Sequence, residues 1–183
     1  SQQDRIATQV LDIRTLAADT VGPNTPERRF DLVLSNFGGL NCLSADAIAR
    51  LGMAMPALLH PGSVFVAVVM GRFCWWETVY FLLKGQWREA FRRSSRQAVL
   101  ARLNAETTVP AWYYSPLQFQ DLFPGWRVLH IEPVGIWLPP SYLDSWFSRW
   151  PRCLRFFYFF EKKCRASVWA GAADHFLIAM TPA

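Results

Sequence analysis

Apolar and polar positions along the chain change period several times, and each change marks a predicted element. Residues 8–13 read as a short strand, and residues 20–29, with Gly22, Pro23 and Pro26, as a loop. The run Phe-Asp-Leu-Val-Leu-Ser at 30–35 is mostly apolar and bounded by turn formers, the pattern of a strand covered on both faces. Beyond a glycine-containing loop at 36–42, Ser44 is placed to cap a helix running towards Leu59. Ile48, Leu51, Met55, Leu58 and Leu59 recur there at spacings of three and four, and Pro56 is expected to kink it or to end its first part. Pro61-Gly62 then turns the chain into the β-branched run 64–70, a second buried strand. Strand, helix and strand make a βαβ unit.

Residues 75–103 read as helical and broken around Gly85, and 112–114 as a strand-like piece. Ser115-Pro116-Leu117-Gln118 carries a capping serine, a proline at the first helical position and a glutamine three after the cap. That helix stops at Pro124-Gly125. A strand is predicted over 126–131, resuming over 134–138 until Pro139-Pro140. Ser141 and Asp144 form a second capping box, opening a helical segment to about Lys163 that Pro151 interrupts. An apolar strand at 176–180 closes the chain.

Composition narrows the class. In 183 residues, 52% hydrophobic and 18% charged, there is enough apolar material for one domain with a core, and too much for disorder. The longest uninterrupted apolar run, 64–70, is far short of the roughly 18 residues needed to cross a bilayer. The chain opens Ser-Gln-Gln-Asp, with no initiator methionine and no leader of the secretory kind, which raises the expectation of a segment upstream. Cys42, Cys74, Cys153 and Cys164 are scattered, as are His60, His130 and His175, so neither a disulfide framework nor a metal site is expected and a reducing cytoplasm is the default.

The order of elements and several short motifs resemble the C-terminal portion of the class I S-adenosylmethionine-dependent methyltransferase family. Val10-Leu11-Asp12-Ile13 resembles that family's third-strand motif. Phe30-Asp31-Leu32-Val33-Leu34-Ser35-Asn36 resembles its fourth-strand motif, and Leu59-His60-Pro61-Gly62 the turn into its fifth strand. The stretches 36–42 and 71–77, with Asp174-His175-Phe176, resemble one subgroup acting on small molecules. The resemblance spans about residues 8–182. It implies an α/β fold: a partial Rossmann-like sheet, mostly parallel, with an antiparallel C-terminal strand inserted between its neighbours and helices flanking it. All 183 residues are then expected to form a single domain, with 141–165 as an aromatic and basic insertion. One departure stands out. No G-x-G occurs anywhere in the sequence, so the glycine-rich turn that holds much of the cofactor is missing. Either the chain is partial, or it is a degenerate, non-catalytic relative that binds membranes or partners through its aromatic-basic surface.

The resemblance implies S-adenosylmethionine as cofactor, held by Asp12 and Ile13 at the adenine and by Ser35, Asn36, Phe37 and Gly38 at the methionine part. Methyl transfer from a sulfonium is an in-line displacement that needs positioning and exclusion of water rather than a metal. Where the acceptor carries a proton, a base is needed. His175 is the leading candidate, with Tyr114 and Glu77 behind it. Substrate contacts are expected from Arg72, Trp76, Tyr80 and Arg92, and from Trp146 and Trp150 in the insertion. Lys84, Arg88, Arg92 and Arg96 fall four apart, joined by Arg93, a basic stripe along one helix face. In the insertion, aromatics interleave with Arg149, Arg152, Arg155, Lys162 and Lys163, a pattern suited to an apolar substrate or the edge of a membrane. The expected activity is methylation of a small or lipid-like acceptor. Half of a nicotinamide-binding domain fits less well, and nucleic acid is a weaker partner because no recognition motif is present.

Overall fold

A computed structural model describes residues 12–13, 29–36, 38–102, 106–140, 143 and 147–183. Four strands form one mixed sheet in the order β1-β2-β6-β5, where β1 is Phe30–Ser35, β2 Leu59–Met70, β5 Trp126–Val134 and β6 His175–Pro182. β1 pairs parallel with β2, while β6 runs antiparallel to both β2 and β5. The closing strand therefore lies between two strands that run opposite to it, the insertion that the sequence resemblance implied.

The crossover from β1 to β2 is carried by α1 (Ala45–Ala54). The Ser44 side chain accepts a hydrogen bond from the Ala47 N–H at its N-terminus. Pro56 ends this helix rather than kinking it. It sits at the start of a separate 3₁₀ turn, Met55–Leu58, where its missing N–H costs nothing. Phe65, Ala67 and Val69 of β2 and Phe176, Ile178 and Met180 of β6 alternate onto one face of the sheet. They pack there against Ile48 and Leu51 of α1, Met55 just after it, and Phe119 and Phe123. Phe119 belongs to α4 (Pro116–Asp121), which opens with the predicted Ser115/Gln118 capping box.

Three expectations are corrected. Among the described residues β1 is an end strand of the sheet, and it is not buried on both faces: Leu32 and Leu34 are 57% and 61% exposed, with no described element covering them. Residues 75–103 break at Gly85 as expected, but the helical stretch does not extend to 103. α2 (Trp75–Leu83) ends at Gly85, whose φ of 69° suits a left-handed helix stop; α3 (Trp87–Ala90) and a 3₁₀ turn (Arg92–Ser94) follow. Val99–Arg102 is then strand β3, paired antiparallel with β4 (Thr108–Ala111) in a separate hairpin. Strand pairing overrides the helical propensity of this stretch, and it dismantles the continuous basic stripe. Finally, β5 runs unbroken to Val134, and residues 135–138 do not continue it as a strand.

The segment after Pro140 includes α5 (Pro151–Lys163), whose first turn holds the proline that interrupts the predicted helix. The predicted strand at 8–13 lies outside the described residues except for Asp12 and Ile13, which are in no strand.

Candidate functional site

In open α/β sheets, ligands collect beyond the carboxyl ends of the parallel strands. Here those ends are Ser35 and Met70, and the loop after β1 is drawn tightly over the second. Gly38 has a φ of 71°, and its N–H donates to Val68 O at 3.2 Å. A Cβ at Gly38 would lie 3.2 Å from Met70 Cε and 3.3 Å from Asn41 Oδ1, so only glycine fits without displacement. Asn41 is fully buried and acts as the clamp. Its Oδ1 accepts from Met70 N–H at 2.8 Å, and its Nδ2 donates to Met70 O at 3.2 Å and Trp112 O at 2.6 Å. Ser35 is left half-buried and Asn36 exposed at the strand end.

A chain of charges crosses the same end of the sheet. Glu77 lies in the first turn of α2. It accepts from Arg92 Nε at 2.9 Å and from Arg93 Nη2 at 2.6 Å. The same Arg93 Nη2 also donates to Asp174 Oδ1 at 2.7 Å, and its Nη1 to Asp174 O at 3.2 Å. Asp174 Oδ2 in turn lies 3.1 Å from His175 Nδ1. Burial works against the Asp174 carboxylate, but the His175 hydrogen bond and the Arg93 charge outweigh it and hold its pKa at about 2. Burial likewise opposes the Arg93 guanidinium, and Glu77 and Asp174 more than reverse that, raising its pKa. Arg93 also lies over the Tyr113 ring, 5.1 Å from its centroid. A proton on Nδ1, donated to this carboxylate, leaves Nε2 of His175 as an acceptor. His175 is the Cα partner of Met70, so this acceptor sits where β2 ends.

A cavity of about 460 Å³ is lined by Arg72, Arg96, Asp46, Asp121, Trp112 and Tyr113 among others, and by none of Met70, Asp174 and His175. The volume is that of an ordinary small-molecule pocket. Arg72 is fixed at its rim: its N–H donates to Tyr114 O at 3.1 Å, and its Nη2 to Ser94 O at 2.7 Å. Tyr114 also borders the cavity, but its hydroxyl is buried and donates to Leu43 O at 2.6 Å. Burial, helped by the Asp46 charge, raises its pKa, so this phenol keeps its proton and ties loop to loop.

The remaining predicted residues fall into three places. Glu77 and Arg92 pair with each other in the charge chain, where the Glu77 carboxylate serves two arginines. Trp76 belongs to an aromatic block, its ring 5.9 Å from Phe147 and 5.4 Å from Phe157, with Nε1 donating to Trp137 O at 3.1 Å. Tyr80 accepts from Lys84, whose ammonium lies 4.3 Å from its ring centroid. Trp150 is 59% exposed at the start of α5. Asp12 and Ile13 are exposed, and Phe37 and Trp146 lie outside the described residues. Among the described residues, no cluster of histidine, cysteine and carboxylate could hold a metal ion.

Sequence reasoning passed over Asn41, Arg93 and Asp174 as site residues. Only Asp174 had a local signal, its place beside His175; the partners of the other two lie up to 71 and 81 residues away.

No protein-family model and no curated protein sequence matches the chain. Solved structures do. An S-adenosylmethionine-dependent methyltransferase from Clostridium acetobutylicum superposes with a TM-score of 0.52 at 8% identity, over 99% of this chain and 67% of that one. The CcbJ methyltransferase from Streptomyces caelestis superposes with a TM-score of 0.49 at 12% identity, over 93% of this chain and 73% of its own. The fold of the described chain is thus that of an S-adenosylmethionine-dependent methyltransferase, and the first of these likenesses carries that statement.

Proposed function

We propose that this chain belongs to an enzyme transferring a methyl group from S-adenosylmethionine to a small or lipid-like acceptor, with His175 taking the acceptor's proton. The observation that carries the reading is the Asp174–His175 pair, 3.1 Å apart, beside Met70 at the open end of a sheet with this strand order. Asp174 orients the imidazole and leaves Nε2 to receive the proton, the usual division of labour in such a pair. Arg93 holds Asp174 from the other side, so the carboxylate stays ionised while the imidazole changes charge.

The loop after β1 fits one side of the cofactor. Gly38 packs without a Cβ against Met70, while Ser35 and Asn36 present polar groups at the strand end. When bound, S-adenosylmethionine supplies an electrophilic methyl group. The cavity beside Arg72 suits the part of the acceptor remote from the reacting atom, since His175 does not line it; Trp112 and Tyr113 are its walls, and Arg72 and Arg96 are able to meet an acidic group. Because the sequence contains no G-x-G, residues of this chain supply one wall of the cofactor site.

Calorimetry with S-adenosylhomocysteine tests the reading. Weak binding by the 183-residue chain, and clear binding once a segment bearing a glycine-rich turn is joined to it, is the expected pair of results. Tight binding by the chain alone would place the cofactor elsewhere. In an active form, His175→Ala should lower kcat by about 10²–10⁴, the range of a lost general base, with little change in KM.

A further inference from the structure

We infer that the outward face of α5 docks the protein on an anionic lipid surface. This inference stands apart from the transferase reading and needs no cofactor.

At 3.6 residues per turn, the helix Pro151–Lys163 divides cleanly. Phe157 and Phe160 turn inward, with ring centroids 5.4 Å from Trp76 and 5.5 Å from Trp137. Glu161 turns inward too. Its carboxylate accepts from the N–H groups of Gly135, Ile136, Trp137 and Leu138, at 2.7 to 3.4 Å. The only carboxylate of the helix is thereby consumed.

The opposite arc carries four cations, Arg152, Arg155, Lys162 and Lys163, none of them paired with a carboxylate among the described residues. Between them stand Phe156, Tyr158 and Phe159, which are 58%, 50% and 57% exposed. Leaving three large rings in water is unfavourable, and a soluble surface gains nothing from it. A bilayer interface accepts both kinds of side chain at once: rings enter the headgroup boundary, and arginine and lysine reach lipid phosphates.

Two further observations select this occupant. No helix among the described residues is long and apolar enough to cross a membrane, and α5, with 13 residues, spans only about 20 Å, so it would lie along the surface. Single-stranded nucleic acid also pairs cations with rings, but it needs open ring faces on which bases stack. Here Lys162 lies over one face of Tyr158 at 4.5 Å, Lys163 lies 5.9 Å from Phe159, and Phe156 packs on Phe160 at 4.7 Å, so each ring already has a neighbour on one side.

Co-sedimentation of the full chain with phosphatidylcholine vesicles, with and without 30% phosphatidylglycerol (a mole fraction of about one third), tests the inference, alongside anisotropy with a fluorescent single-stranded oligonucleotide. Binding to the anionic vesicles should exceed binding to neutral ones at least about tenfold, and should be released near 1 M salt. The double variants Arg152→Glu/Arg155→Glu and Phe156→Ser/Phe159→Ser should each weaken it at least about tenfold. Because all four side chains are exposed, circular dichroism and the melting temperature should hold; if either variant unfolds, the charge and salt dependence of the wild-type chain still decides. Equal binding to both vesicle types, no binding to either, or preference for the oligonucleotide would overturn the inference.

Discussion

Glu77 Oε2 and Arg93 Nη2 lie 2.6 Å apart, with side chains only 3% and 11% exposed, and this pair joins α2 to the turn that precedes the β3–β4 hairpin. Removing one member of a buried pair strands the other charge. Glu77→Gln should therefore destabilise the fold by about 3–5 kcal/mol in urea unfolding. Glu89→Gln is the comparison: its contact with Arg92 is 3.7 Å long and half in water, and it should cost less than about 1 kcal/mol. Equal effects would show that Glu77 does not bear the load its burial implies.

Asp174 predicts an acid limb. Its folded pKa of about 2 lies below the roughly 3.9 of an unfolded aspartate, so its contribution is complete above about pH 4 and is lost as pH falls through that interval towards 2. The difference is on the order of 2 kcal/mol. Stability measured by denaturant between pH 5 and pH 2 should fall less steeply in Asp174→Asn than in the parent chain.

Glu161 predicts a local effect. Glu161→Ala releases the four N–H groups it holds in residues 135–138 and unpins α5 from that loop. A loss of about 1–3 kcal/mol is expected. Hydrogen exchange should accelerate first at 135–138 and along α5, with β2 and β6 unaffected. Uniform acceleration would mean that α5 is integral to the core.

Cysteine reactivity checks the packing at the end of β2. Burial pushes the Cys74 thiol up to about 11, against a hydrogen bond from the Glu77 backbone, while Cys42 is exposed. At pH 8 only about one Cys74 thiol in a thousand is ionised, so alkylation should label Cys42 rapidly and Cys74 only after unfolding.

Much of this molecule is legible in local sequence because its causes are local. Ser44 and the Ser115/Gln118 box act within one helical turn, and both start helices where expected. The β-branched run at 64–70 and the apolar run at 176–180 suffice to read as strands, although β2 begins earlier, at Leu59, where the sequence reads as a helix end and a turn. His175 stood out because it is titratable and opens the last strand, and its partner Asp174 is its neighbour. What the sequence could not show is whatever depends on who lies alongside. The run 30–35 reads as doubly buried, yet no described element covers the face that carries Leu32 and Leu34. Residues 99–102 favour a helix until 108–111 offers them a pairing partner. Arg93 looks like one cation in a solvated stripe, and only the folded chain brings Glu77 and Asp174 to it, across 16 and 81 residues. Propensity and capping are decided within a turn or two; edge position, strand pairing and a shared buried charge are decided by contacts that exist only after the sheet has assembled.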